Sequence, residues 1–222
     1  MKVARHMAMI LSRIPTIQCI GITGGLSVGN ADPEDDIDFF IITTAGTVWI
    51  TRFLATLYME IVGQRRRPES EEVANMICLN MYMNERAMGV KKQDIYTGHE
   101  ILQMVPVINK NHCYEQFLSA NVWVSYIFPQ KWRKTWEKRK SIVHNRTQGS
   151  LSQYISWLLK FGEQPVMVAQ LWYMKKRRTQ EEVGNEYIQF HPHDAHVWVK
   201  QKLKKRLQSY HILPLDKHLV SF

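Results

Sequence analysis

The sequence predicts an α+β fold: a small sheet flanked by helices, followed by an all-helical C-terminal region. Three observations predict it. Two apolar stretches rich in β-branched residues, Thr16–Thr23 and Ile37–Thr43, are joined by the turn-rich segment GGLSVGNADPEDD. A run with helical spacing follows the second of them. Beyond Asn84 the pattern turns to helices, which divides the chain near Asn84–Gln93 into a domain over 1–90 and a helical domain over 91–222.

Each element has a local reason. Ala4 to Ser12 reads as a helix closed by Pro15, and Thr16–Thr23 as a buried strand. Thr47 is placed to cap a helix running to Val62, with Gly63 just past its end. Its apolar positions Val48, Phe53, Leu54, Leu57 and Ile61 predict one face laid on a sheet. Gln64–Glu72 is a polar, arginine-rich connection, and Asn75–Met83 reads as a third strand. Asp94 is an N-cap candidate for a helix through Met104, stopped by Pro106. Further helices are expected at His112–Phe128, Gln130–Val143, Leu151–Phe161, Pro165–Arg178 and Ala195–Ser209, with Pro165 in a first turn and Asp194 at a cap.

Composition narrows the class. The 222 residues are 45% hydrophobic and 22% charged, values of a globular chain. Cys19, Cys78 and Cys113 are odd in number and widely spaced, which predicts buried thiols in a reducing compartment, not a disulfide frame or zinc site. Arg5, His6 and Arg13 interrupt the apolar N-terminus, so no signal peptide is expected. The apolar segment Val48–Val62 carries Arg52 and Glu60 and is too short to span a bilayer. A cytoplasmic protein with no membrane partner is expected. The net charge of +9 is uneven: up to Glu60 there are four Lys/Arg against six acids, whereas basic runs fill Lys131–Lys140, Lys175–Arg178 and Lys200–Arg206. That division suits a metal site facing an anionic substrate, although each basic run alone reads more simply as a solvated helix face.

The chemistry concentrates around Asp36 and Asp38. They flank Ile37 at the start of a strand, so both carboxylates project to one side. Side-by-side carboxylates repel unless a cation sits between them, and oxygen ligands of this kind suit Mg²⁺, with Mn²⁺ as a substitute. Upstream, Gly24 and Gly25 permit close approach of the backbone to an anion, and with Ser27 they are the candidate nucleotide-phosphate cradle.

Gly24-Gly25, ten residues, then Asp36-Ile37-Asp38-Phe39 between two strands resembles the signature of the DNA polymerase beta-type nucleotidyltransferase superfamily. The resemblance is specific over Ile20–Thr43 and looser to the strand near Met83. The stretch from Asp94 onward resembles the helical parts of bacterial nucleotidyltransferase-domain proteins. It implies a small mixed sheet and transfer of an NMP group from a nucleoside triphosphate to a hydroxyl acceptor (small molecule, protein or RNA), with release of pyrophosphate. Asp36 and Asp38 would be the catalytic and metal-binding residues, for one or two ions. Members usually carry a third carboxylate on a later strand. Met76–Met83 has no acid, and Asn80 is its most plausible polar inward position, with Glu85 or Asp94 as substitutes from adjoining loops. Asn cannot accept the nucleophile's proton, so a catalytically silent relative that binds nucleotide or nucleic acid is the alternative.

Other patterns carry less. The glycines fit neither GxGxxG nor GxxxxGK[ST], which removes the dinucleotide and P-loop readings. His191, His193 and His196 match no zinc spacing and read as a proline turn beside the Asp194 cap. Trp132 and Trp136 interleave with Lys131, Arg133, Lys134, Lys138 and Arg139; a helix that buries tryptophan and exposes charge is preferred over a nucleic-acid platform. Arg65, Arg66 and Arg67 are equally well a solvated loop or phosphate contacts.

Overall fold

The computed structural model describes residues 1–67, 73–142, 145–146, 149–175, 182–184 and 187–189, together with 201, 202, 205, 206 and 209. In chain order the elements are α1 (Lys2–Leu11), β1 (Ile17–Ile22), the short α2 (Gly24–Ser27), β2 (Ile37–Thr43), α3 (Val48–Ile61), β3 (Ile77–Asn84), α4 (Ile95–Gln103) and β4 (Val105–Lys110). Then come α5 (Cys113–Ala120), α6 (Val124–Ile127), α7 (Pro129–Ile142), β5 (Asn145–Arg146), α8 (Ser150–Leu159), α9 (Glu163–Met174), β6 (Glu182–Val183) and β7 (Tyr187–Gln189). Among the described residues one mixed sheet runs in the order β5-β4-β1-β2-β3-β7-β6. β1 is antiparallel to both β2 and β4, β2 and β3 are parallel, and β7 is antiparallel to β3. The expected α+β class, a mixed sheet flanked by helices with helices in the C-terminal region, is what the chain adopts.

Side-chain alternation along β2 explains why the sheet is covered on both faces. Ile37, Phe39 and Ile41 enter a core shared with Ala4, Ala8 and Leu11 of α1 and with Val48, Trp49, Ala55 and Met59 of α3. Phe40 and Ile42 enter a second core with Ile101 and Leu102 of α4 and Tyr114, Phe117 and Leu118 of α5. Asp38 has the parity of Phe40, so it lies on the α4 side.

Several helix boundaries follow the local signals, and two have a long-range cause. Asp94 precedes α4 and its carboxylate accepts the Thr97 N–H at 2.8 Å, as a capping aspartate should. Thr47 does precede α3, but its hydroxyl donates to the Thr44 carbonyl at 2.7 Å. The α3 terminus is instead satisfied by Glu163 at the start of α9, which accepts N–H bonds from Trp49 and Ile50, both at 2.9 Å. The expected helix over 112–128 is broken at Asn121, whose buried amide donates to the Met88 and Phe117 carbonyls at 2.8 Å. Pro165 sits in the first turn of α9.

The region read as helical from 94 onward also adds β4, β5, β6 and β7 to the sheet. Pro106, expected only to stop a helix, lies inside β4 opposite Gly21, where the β1–β4 register shifts. A proline is tolerated in a strand at such an irregularity because no ladder bond is demanded of it there. Of the helix expected over 195–209, residues 201, 202, 205, 206 and 209 are helical. Its remaining residues, with His191, His193, Asp194 and His196, lie outside the described ones. No helix among the described residues is long and apolar enough to cross a membrane.

Candidate metal and nucleotide site

The connection from β1 to β2 brings a glycine against a carboxylate. Gly24 has φ +65°, a left-handed conformation that side chains disfavour, and a Cβ there would overlap Asp38 Oδ2. The Thr23 N–H donates to the Asp38 carbonyl at 3.0 Å, which closes the approach. Gly25 accepts the Asn30 N–H at 3.0 Å, and the Ser27 hydroxyl donates to the Gly24 carbonyl at 2.7 Å. Gly24, Gly25 and Ser27 thus form one tight turn above the acidic strand end.

Asp36 immediately precedes β2 and Asp38 is its second residue, both half-buried. In the parallel ladder the residue abreast of Asp38 is Cys78 on β3. Asp36, Asp38 and Cys78 offer one ligand atom each, all within 4.8 Å of one another. Arg66 reaches over this group: its Nε lies 2.9 Å from Asp36 Oδ2, and its Nη1 donates to Cys78 Sγ at 3.6 Å.

Burial, and after it the neighbouring Asp36, pushes the Asp38 carboxyl up to about 7; Glu100 adds to the rise, while Arg66 and a hydrogen bond from Cys78 oppose it. Burial and then the two aspartates push the Cys78 thiol up to about 12. Glu100 approaches from α4, where its carboxyl is raised by burial against the opposing pull of Lys131. One turn earlier the Tyr96 hydroxyl is pushed up to about 12, by burial first and then by Glu100, Asp94 and Asp38. The Lys131 Nζ stands 3.2 Å from His99 Nε2, at the edge of an open recess lined by Phe128, Pro129, Gln130, Lys131 and Lys134.

The chemistry of this donor set fits a divalent cation. Carboxylates from the start of β2 and from the residue before it converge, burial drives one of them towards its neutral form, and the Arg66 guanidinium already contacts the other.

The other anticipated residues fall as follows. Asn80 is on β3, in the stretch where the β2–β3 register shifts between Asp38 and Phe40, and its side chain lies outside the described residues. Glu85 is at the opposite end of the ladder, where its carboxylate accepts the Ala45 N–H at 3.1 Å and its own N–H donates to Thr43. Asp94 is committed to its cap. Arg65 pairs with Glu60 at 3.1 Å, and Arg67 pairs with the same carboxylate, so of the three arginines Arg66 is the one at the site. Trp132 and Trp136 pack against the second core with ring centroids 6.0 Å apart while Arg133, Lys134 and Lys138 are exposed, the arrangement preferred from the sequence.

Sequence reasoning missed Cys78 and Glu100 here and left Arg66 evenly balanced between a solvated loop and a phosphate contact. Cys78 had a signal: by period two it shares a face with Asn80, but a thiol was read as apolar. Glu100 had none, because its place depends on how α4 packs, and which of the three arginines reaches the site depends on the 62–67 turn.

No protein-family model matches the chain, and no curated protein matches it. A solved structure described as the crystal structure of a toxin-antitoxin with AMP-PNP is similar to it at 14% identity, covering 61% of this chain and 93% of that one, with a TM-score of 0.35.

Proposed function

We propose that the chain is a metal-dependent nucleotidyltransferase that moves an NMP group from a nucleoside triphosphate to a hydroxyl acceptor, releasing pyrophosphate. The observation that carries the reading is the packing of Gly24, in a left-handed conformation only glycine tolerates well, against Asp38 of the Asp36/Asp38 pair. A glycine turn held this close to paired carboxylates gives phosphate oxygens and a cation a common place to meet.

Asp36 and Asp38 are the residues that would hold Mg²⁺ or Mn²⁺, and the cation when bound would neutralise charge on the triphosphate and on the leaving pyrophosphate. Gly24 and Gly25 would leave the backbone open to the phosphates, and the Ser27 hydroxyl, which now donates to the Gly24 carbonyl, would turn to them. Arg66, once released from Asp36, is a cationic side chain at the site that would pair with a phosphate. Glu100, close enough on α4 to raise the Asp38 carboxyl, would stand in for the carboxylate that β3 lacks and take a proton from an attacking hydroxyl. The recess with Lys131 and Lys134 offers an anionic acceptor a place beside it.

The alternative, a silent nucleotide-binding relative, draws on one observation: a neutral thiol, not an acid, stands abreast of Asp38. The test offers four α-labelled nucleoside triphosphates with Mg²⁺ or Mn²⁺ to the protein, with tRNA, the protein itself and hydroxylated small molecules as acceptors. Label transfer that disappears in Asp36→Ala/Asp38→Ala is expected. Nucleotide binding without any transfer would favour the silent reading.

A further inference from the structure

The ligand set at this site is not all oxygen. Cys78 lies abreast of Asp38 in the parallel ladder and is only 6% exposed. Its sulfur and a carboxylate oxygen from each aspartate lie within 4.8 Å of one another. Two adjacent strands set the spacing of Asp38 and Cys78, and Asp36 lies one residue before β2. A positive group is already drawn to the same spot, since the Arg66 guanidinium contacts Asp36 at 2.9 Å and Cys78 at 3.6 Å. Magnesium takes oxygen ligands and gains little from sulfur, whereas zinc and cobalt accept thiolate together with carboxylate, at about 2.0–2.3 Å from each donor.

We propose that Asp36, Asp38 and Cys78 form a three-ligand site for a thiophilic divalent cation of the zinc type. The inference rests on the reading of Asp36 and Asp38 as a cation site, and it adds the sulfur ligand and the metal class. On binding, a sulfur–metal bond forms, the Cys78 proton passes to solvent, and the Arg66 guanidinium leaves two of the three ligands. Zinc held in this way excludes magnesium from the aspartates, so zinc would oppose any magnesium-dependent reaction here.

The test uses the full chain, freed of metal, titrated with Co²⁺ and followed by near-ultraviolet absorption. Calorimetric titrations with Zn²⁺ and Mg²⁺ run in parallel. The expected result is a sulfur-to-cobalt charge-transfer band in the native chain that is absent in Cys78→Ser and Cys78→Ala. Zn²⁺ affinity should fall at least about tenfold in both variants while Mg²⁺ affinity is unchanged, and Arg66→Gln should tighten Zn²⁺ binding. Urea unfolding curves establish that each variant is folded; Cys78→Ala keeps the position apolar should the serine disturb it. Cobalt binding that depends on the aspartates but shows no charge-transfer band would overturn the sulfur ligand and leave the cation site standing. Absence of Co²⁺ and Mg²⁺ binding in the native chain would overturn both.

Discussion

Replacing Asp38 by Asn should stabilise the metal-free protein, and increasingly so as pH rises. In the folded chain burial and Asp36 move the Asp38 carboxyl from its ordinary 3.8 to about 7. Between those values the folded state binds the proton more tightly than the unfolded chain. The stabilising contribution of the protonated side chain is therefore complete below about 4 and is lost as pH rises through about 7. A shift of that size amounts to roughly 4 kcal/mol if none of it is screened, at about 1.4 kcal/mol per unit. Solvent reaches part of the side chain, so a loss of about 1–3 kcal/mol is expected. Urea unfolding in EDTA at pH 4 to 8, on the native chain and on Asp38→Asn, reads it directly. The two should be nearly equal at the acid end, with the variant ahead by about 1–3 kcal/mol at pH 8. Saturating Mn²⁺ should narrow the gap by stabilising only the native chain. A gap that does not widen with pH, or a variant that is less stable at pH 8, would refute the claim that burial and Asp36 raise the Asp38 carboxyl.

Two further outcomes follow from single contacts. Glu163→Ala removes the acceptor for the Trp49 and Ile50 N–H groups at the start of α3, so urea unfolding should show a loss of about 2–4 kcal/mol; Glu163→Gln, which keeps one acceptor oxygen, should lose less. Gly24→Ala forces a side chain into a left-handed residue and against Asp38 Oδ2, so it should cost about 1–3 kcal/mol and weaken Mn²⁺ binding in calorimetry, whereas Gly29→Ala, with open space around it, should leave Mn²⁺ affinity unchanged.

The sequence by itself determined the elements whose signals are local. β1 and β2 are continuous apolar runs because both faces of the central strands are covered. The turn between them needs glycine for reasons that the dipeptide Gly24-Gly25 displays, and the alternation that puts Asp36 and Asp38 on one side is a property of any strand. Asp94 capped the helix it was expected to cap because an N-cap is a contact within four residues.

What the tertiary structure decided are the contacts between residues far apart in the chain. β4 becomes a strand because β1 offers it a ladder with an irregularity that fits Pro106, a demand that the segment alone does not announce. The α3 terminus is satisfied from Glu163, more than a hundred residues away, although a capping residue sits next to it. At the site the division is the same. The chain order names the two aspartates, but the parallel pairing of β2 with β3 selects Cys78, and the packing of α4 and of the turn before β3 selects Glu100 and Arg66. Periodicity reports the face a residue takes along β2, but not along α3, where Phe53, Leu57 and Ile61, expected on the sheet, are exposed while Trp49, Ala55 and Met59 are buried; what a residue meets is reported only by packing.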